Sequence, residues 1–515
     1  PLVINNFDVL LYLDYFLFRN LRDLDNLKNP FFVYSIELKL TIEHMSYLRK
    51  TAILSILFLS QQICFGQFTY ELADTIQVSE NGTLLKSALA GGINAPQFNE
   101  LDLNGDGKND LIVFDRAGNK IIPYLNIGST GIIKYKYSPS YIKKFPIVSN
   151  WLKIIDYNCD GFSDLFTGDD SGNILSYENI GSNGNIQFGS RQILFRRDNS
   201  QNFDINLYAS KVDIPGVADI DGDGDIDFLV FSSTQVNYYK NVSMDSLGVC
   251  GLKFEYRNAC WGNFVEAGAD EQIFIDSCGY NSISNPEINS GEKGSNHNVD
   301  KHSGSTITLF DFDNKSGMDM LLGDVSSYSV KRLINGDLSS GFKSSRIVSY
   351  DSEYPLDTNG RNKISIFPSS FLQDLNNDGL EDLILTVNEV QDPLALNNEN
   401  IRIFINTGIK GNPDFTYVKN NFLQEDMLDF GKSTLPSFFD YNSDGLMDIV
   451  IGDESSKTDS SSTKGRLALL KNIGTPNYPK FELINRNYLQ IDTLKLEHIS
   501  NQATQSLSTG FGDMD

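Results

Sequence analysis

Four histidines and two tryptophans in 515 residues leave little material for two common kinds of site. Histidine-poor chains lack the usual general base and zinc ligand, and tryptophan-poor ones lack the flat stacking floor of a sugar-cleaving cleft. His44 precedes the expected cleavage point, and His297, His302 and His498 sit without cysteine or acidic zinc spacing around them. GxSxG, HExxH, a phosphate loop and CxxC pairs are all missing, so no nucleophilic, metalloprotease, nucleotide or zinc-finger signature is present. Positive charge is also short: 42 Lys and Arg against 67 Asp and Glu give a formal charge of −25. That balance excludes nucleic acid and anionic membrane surfaces as natural partners. Long apolar runs are absent too. The longest, at residues 51–60, is roughly half of what a membrane-spanning helix needs.

That run lies within MSYLRKTAILSILFLSQQICFGQ, which starts at Met45 and carries Arg49 and Lys50 ahead of the apolar stretch. The order of parts is that of a secretory signal peptide over 45–66, with cleavage expected between Gly66 and Gln67. Cys64 lacks the small residues that lipoprotein processing requires before it. Residues 1–44 then read as an upstream extension foreign to the mature protein. Export permits disulfides, and one bridge is expected among Cys250, Cys260 and Cys278, with Cys159 left as a free thiol.

What the chain has in abundance is β-structure and a repeat. Aromatics make up 11%, glycines number 41, and short β-branched runs are bounded by Gly, Asn, Asp and Ser. DLNGDGKND at Asp102 returns as DYNCDGFSD at Asp156, DIDGDGDID at Asp219, DLNNDGLED at Asp374 and DYNSDGLMD at Asp440. A divergent copy, DFDNKSGMD, begins at Asp311. The units recur every 55–65 residues or so, except for a longer step from Asp219 to Asp311. Each acidic stretch feeds an apolar run (DLIVFD, DLFTGD, DFLVFS, DMLLGD, DLILTV, DIVIGD), and in most a second run follows that ends in Asn. Several units add a Phe-centred strand: NIQFGS at 185, PDFTYV at 413 and PKFELI at 479. A unit of this length with about four short strands has the size of one propeller blade. The expected fold is therefore all-β, a β-propeller of four-stranded blades over 67–515. Seven blades are expected, six of them visible and a seventh starting at GFGDMD, with an insertion at about 243–305.

The acidic loops supply oxygen at alternate positions, a glycine for the sharp turn and a closing aspartate, as a hard divalent cation requires. At the motif positions four loops carry three aspartates each and the third carries four, a density that calls for a counter-charge. The candidate ligands are Asp102, Asn104, Asp106 and Asp110; Asp156, Asn158, Asp160 and Asp164; Asp219, Asp221, Asp223 and Asp227; Asp374, Asn376, Asp378 and Asp382; and Asp440, Asn442, Asp444 and Asp448. Calcium suits such irregular oxygen shells better than magnesium, giving about five structural sites. The Asp311 loop, with Lys315 at the fifth position, is expected to be degenerate because an ammonium there replaces the cation.

These units resemble FG-GAP/VCBS-type repeats, the calcium-loop blades of integrin α-like propellers and of many secreted bacterial proteins. The start of the mature chain also resembles secreted Bacteroidetes-type proteins, which often carry a C-terminal type IX secretion sorting domain. The resemblance implies that the ions hold the scaffold and that longer rim loops recognise ligands. Residues 243–305 and 454–465 are the candidate rim loops, with Trp261 and Tyr256 a possible sugar platform, although a buried Trp261 beside a disulfide is the plainer reading. The expected function is a secreted or cell-surface, monomeric binding or adhesion module for an extracellular protein or glycan. The competing class is a propeller-fold polysaccharide lyase or glycosidase, or its carbohydrate-binding accessory domain. No catalytic constellation is found.

Overall fold

The computed structural model describes residues 75–198, 203–266, 272–278, 304–315, 317–336, 345–389, 398–431, 434–453 and 465–493. The upstream extension, the signal peptide, residues 279–303 of the first candidate rim loop with His297 and His302, residues 454–464 of the second (454–465), and the GFGDMD start lie outside these residues.

Six antiparallel sheets follow one another along the chain, each with four strands in simple up-and-down order. Sheet 1 comprises Pro96–Leu101, Asp110–Asp115, Lys120–Asn126 and Tyr135–Tyr137. Sheet 2 comprises Leu152–Ile155, Asp164–Gly168, Ile174–Tyr177 and Gln192–Ile193. Sheet 3 comprises Gly216–Ala218, Asp227–Ser232, Gln235–Asn241 and Phe254–Asn258. Sheets 4 and 5 begin at Ser305–Phe310 and Pro368–Gln373, and sheet 6 begins at Leu435–Phe439. Every acidic loop joins the first strand of a sheet to its second.

Two sheets are wider. In sheet 3 the hairpin Phe195–Asp198/Phe203–Asn206 adds to the outer edge, its first strand parallel to Phe254–Asn258. Sheet 6 gains Gln77–Glu80 and Thr83–Leu85 in the same way, with Gln77 beside Lys480 and Glu80 beside Leu483.

The apolar runs are strands because both of their faces are covered. All residues of Asp110–Asp115, Asp319–Asp324 and Asp382–Val387 are buried, as in a strand sandwiched between two neighbouring sheets. In sheet 6 the equivalent Asp448–Gly452 is buried only at alternate residues, so one face is less covered. Aromatic rings tie sheets together: Phe166 of sheet 2 meets Phe228 of sheet 3 edge-on at 5.7 Å, and Phe98 of sheet 1 meets Phe371 of sheet 5 at 5.9 Å.

Side chains of the first strands also hydrogen-bond across sheets. Gln97 and Asn99 of sheet 1 accept the Leu152 and Ile154 amides of sheet 2 at 2.8 and 2.9 Å. Ile214, ahead of sheet 3, exchanges backbone bonds with Ser305 and Ile307 of sheet 4. Thr306 and Thr308 donate to the Pro368 and Ser370 carbonyls of sheet 5 at 2.9 and 2.6 Å. Thr386 of sheet 5 then donates to the Pro96 carbonyl of sheet 1 at 2.9 Å. The fifth sheet thus meets the first directly, a neighbour relation that the linear order of repeats does not announce.

Three expectations need correction. NIQFGS forms no strand: Phe188 makes a single bridge to Asn179, and the fourth strand of sheet 2 comes later, at Gln192–Ile193. The stretch from 243 is not wholly an insertion, since Phe254–Asn258 is the fourth strand of sheet 3. Beyond it, Phe264–Glu266 and Ile273–Ile275 form a hairpin anchored by Glu266, whose carboxylate receives the Lys331 ammonium of sheet 4 at 2.9 Å with both side chains buried. Finally, Cys159 is no free thiol. It bonds Cys250, 91 residues on, while Cys260 bonds Cys278. Cys159 occupies the tip of the second acidic loop, where the chain turns its side chain toward the third loop's neighbourhood; its sulfur lies 3.7 Å from the Gly224 carbonyl oxygen.

Candidate functional site: the acidic loops

The six loops share one hydrogen-bond plan. The first aspartate accepts amides within its own loop: Asp102 takes Gly105 and Gly107 at 2.7 and 2.9 Å, and Asp156 takes Cys159 and Gly161 at 2.7 and 2.9 Å. The loop then passes through a left-handed residue at its fourth position: Gly105, Cys159, Gly222, Asn314, Asn377 and Ser443 all have φ between 56° and 79°. Gly107, at the sixth, has φ 83°. The sequence shows the second turn as an invariant Gly across five loops but conceals the first, because its occupants share no side chain.

The closing aspartate is the anchor. Asp110, Asp164, Asp227, Asp319, Asp382 and Asp448 are fully buried. One oxygen of Asp110 accepts the Leu103 amide at 2.9 Å and the other the Asn126 amide at 2.7 Å. The same two-handed clasp joins Asp382 to Leu375 and Asn406, and Asp448 to Tyr441 and Asn472. The asparagine at the end of the third strand, or two residues beyond it in the case of Asn179 in sheet 2, is therefore part of the loop. Asn126, Asn335, Asn406 and Asn472 also return their side-chain amides to the carbonyl just before the closing aspartate, at 3.1 to 3.2 Å. Sequence reading saw this Asn but gave it no role.

Burial pushes Asp110, Asp164 and Asp319 up to about 6, and Asp227 and Asp382 up to about 7, against the pull of the amides they accept. Neighbouring carboxylates of the same loop add to the rise. A divalent cation among them would reverse that balance, which makes the donor chemistry suited to one.

Carboxylate oxygens converge most closely in two loops. Those of Asp219, Asp221 and Asp227, and those of Asp311, Asp313 and Asp319, lie within 4.8 Å of one another. The Asp311 loop was expected to be degenerate, yet its three carboxylates come together. Lys315 pairs with Asp313 and stays half exposed. The internal ammonium is found instead in the third loop. Lys240, from the third strand, pairs with Asp221 and reaches Asp223 and Asp245 at 2.9 Å each. Burial alone would lower its pKa, but the hydrogen bonds to these three carboxylates raise it. In sheet 6 the corresponding Lys471 comes no nearer to Asp444 than 3.9 Å.

The proposed sugar platform does not form. Trp261 is 2% exposed, beside the Cys260–Cys278 bridge, whereas Tyr256 is 41% exposed and packs at a tilt against Tyr239 under Arg196. Among the described residues no helix is long and apolar enough to cross a membrane.

Residues 374–451 match the family described as FG-GAP-like repeat. The match runs from the first aspartate of the fifth loop into the second strand of sheet 6, so it spans one whole repeat with its acidic loops. No curated protein sequence matches the chain. Among solved structures, an Agrocybe aegerita lectin that recognises non-reducing terminal N-acetylglucosamine is similar at 14% identity, over 78% of this chain and 83% of the lectin, with a TM-score of 0.29. The V. cholerae biofilm matrix protein Bap1 is similar at 13% identity over 76% of this chain and 38% of its own, with a TM-score of 0.19. A TcdB2–TccC3 structure is similar at 13% identity over 76% of this chain and 19% of its own, with a TM-score of 0.26. At these scores the three likenesses carry no argument about ligand or fold.

Proposed function

We propose that the chain is a secreted, calcium-stabilised β-propeller whose sheets are the blades and which serves as a binding or adhesion module for an extracellular protein or glycan. The observation that carries this reading is the buried closing aspartate. In every repeat it spends its carboxylate on two backbone amides of the blade, so the acidic loops are fastenings of the scaffold. When bound, calcium supplies the counter-charge that lets the loop carboxylates stay ionised side by side. The residues do the rest: the first aspartate folds the loop, the closing one ties it to the third strand, and the Asn there locks the turn that follows. Two disulfides, compatible with an oxidising compartment, support the extracellular assignment. Recognition then falls to the rim, where the hairpin after Asn258 and its disulfide stand.

Two measurements test this. Thermal unfolding in chelator should occur at least several degrees below unfolding in millimolar calcium and recover on calcium addition, because a ligand of the folded state alone stabilises it. An unchanged melting temperature removes the ions from the proposal. A glycan and extracellular-protein array, followed by a reducing-end assay on any hit, separates binding from cleavage. Product release would replace the adhesion reading with the lyase or glycosidase one.

A further inference from the structure

A cavity of about 450 Å³ lies among the first strands of sheets 1 to 5, walled by Phe98, Leu152, Val217, Leu309 and Phe371, one from each. Four charged residues also line it. Asp311, Glu381 and Lys410 stand in loops, and Glu381 and Lys410 are exposed, so water solvates their charges. Lys153 differs. It stands on the Leu152–Ile155 strand of sheet 2 and is part-buried. Among the described residues its Nζ makes neither an ion pair nor a hydrogen bond. Burial holds its ammonium below the usual lysine range, while Glu381 and Glu100 pull the other way without pairing with it.

An ammonium facing apolar walls with no partner is costly, and the amine avoids that cost by giving up its proton. A neutral lysine amine in an apolar pocket is a nucleophile toward carbonyl carbon. Its surroundings also select what it meets. With Lys153 neutral, Asp311 and Glu381 outnumber Lys410, so the lining disfavours anions, and the walls favour an apolar body. We propose that Lys153 holds neutral aldehydes of aromatic size in this cavity as a reversible imine. The Nζ lone pair adds to the aldehyde carbon, and the carbonyl oxygen takes up one proton from the nitrogen. The C–O bond of the resulting carbinolamine then breaks. Its hydroxyl and the second nitrogen proton leave as water, and C=N forms. Gln373 Oε1, buried in the same lining without a partner, offers an acceptor to that hydroxyl. The volume lies within the range of small-molecule sites. This site is separate from the rim surface assigned to adhesion and stands or falls independently of it.

Reductive trapping of the full chain in calcium tests the assignment. Benzaldehyde and glyoxylate are the probes, cyanoborohydride the reductant and peptide mass mapping the readout. At pH 7 benzaldehyde should label Lys153 about tenfold faster than a typical exposed lysine, since each unit of lowered pKa frees about ten times more neutral amine. The rate at Lys153 should level off at lower pH than theirs. Relative to the exposed lysines, the anionic glyoxylate should label it more slowly than benzaldehyde does. Benzyl alcohol should slow the labelling more than benzoate, and Lys153→Met should lose the fast adduct. Labelling of Lys153 no faster than the exposed lysines, or with their pH profile, overturns the proposal. So does a fast adduct that persists in Lys153→Met. Preferential labelling by glyoxylate, or stronger protection by benzoate, also overturns it, each being the mark of a protonated lysine that takes carboxylates. If Lys153→Met does not fold, the labelling of the parent still decides.

Discussion

Removing the bridge between Cys159 and Cys250 tests how the second and third sheets are held together. The two cysteines enclose 91 residues, against 18 for Cys260–Cys278. If a cross-link acts by limiting the unfolded chain, the longer loop is worth about 4.6 kcal/mol and the shorter about 3.2 kcal/mol. Serine is the right replacement at Cys159, because Ser443 holds the same left-handed position in the sixth loop with φ 59°. Backbone strain therefore does not confound the comparison. The pair Cys159→Ser/Cys250→Ser should lower the urea midpoint more than Cys260→Ser/Cys278→Ser, both measured in saturating calcium under non-reducing conditions. The difference in unfolding free energy should be about 1–2 kcal/mol, with equal m-values. Equal losses, or a larger loss for the short loop, would refute the chain-entropy reasoning. The bridge would then matter through contacts in the folded state.

Lys331→Met should destabilise by about 3–5 kcal/mol in urea unfolding, because it leaves Glu266 charged and buried, and Lys331→Met/Glu266→Leu should recover most of that loss. Lys240→Met should raise the calcium affinity of one site about tenfold in titration calorimetry and lower the melting temperature in chelator, since the ammonium no longer competes for Asp221 and Asp223; an unchanged isotherm would mean that Lys240 leaves the third loop alone. Asp213 is pushed up to about 7 by burial, although it accepts the Ser305 amide at 3.0 Å. Its folded pKa lies above the unfolded value near 3.9, so the folded state binds the extra proton between about pH 4 and 7, and stability gained at low pH is lost as pH rises through 7. Asp213→Asn should flatten that slope and raise the melting temperature at pH 8, and an unaltered pH profile would show that Asp213 stays ionised.

The acidic loops were legible because their information is local: oxygen at alternate positions, a glycine and a following apolar run sit within a dozen residues. What joins those loops to the sheets was not. The closing Asp110 finds Asn126 across a strand and a turn, and Asn is a common turn residue whose presence alone says nothing of its partner. Cys159 looked solitary because its partner is in another repeat. Lys240 carries no signal of its own in the sequence, and only the fold brings it to three carboxylates. The meeting of sheet 5 with sheet 1 rests on Thr386 and Pro96, residues with no signal of their own.

The edge pairing of Gln77–Glu80 with Lys480–Asn485 sets a clock on biogenesis. Ser79 and Phe481 touch across 402 positions of sequence. At ordinary rates of elongation the early strand waits roughly 20–80 s for its neighbour to be made. During that interval its backbone edge is open to other chains, the situation that favours edge-to-edge aggregation. A chain built this way gains from being kept unfolded until it is whole, and a holding chaperone or post-translational export would supply that delay.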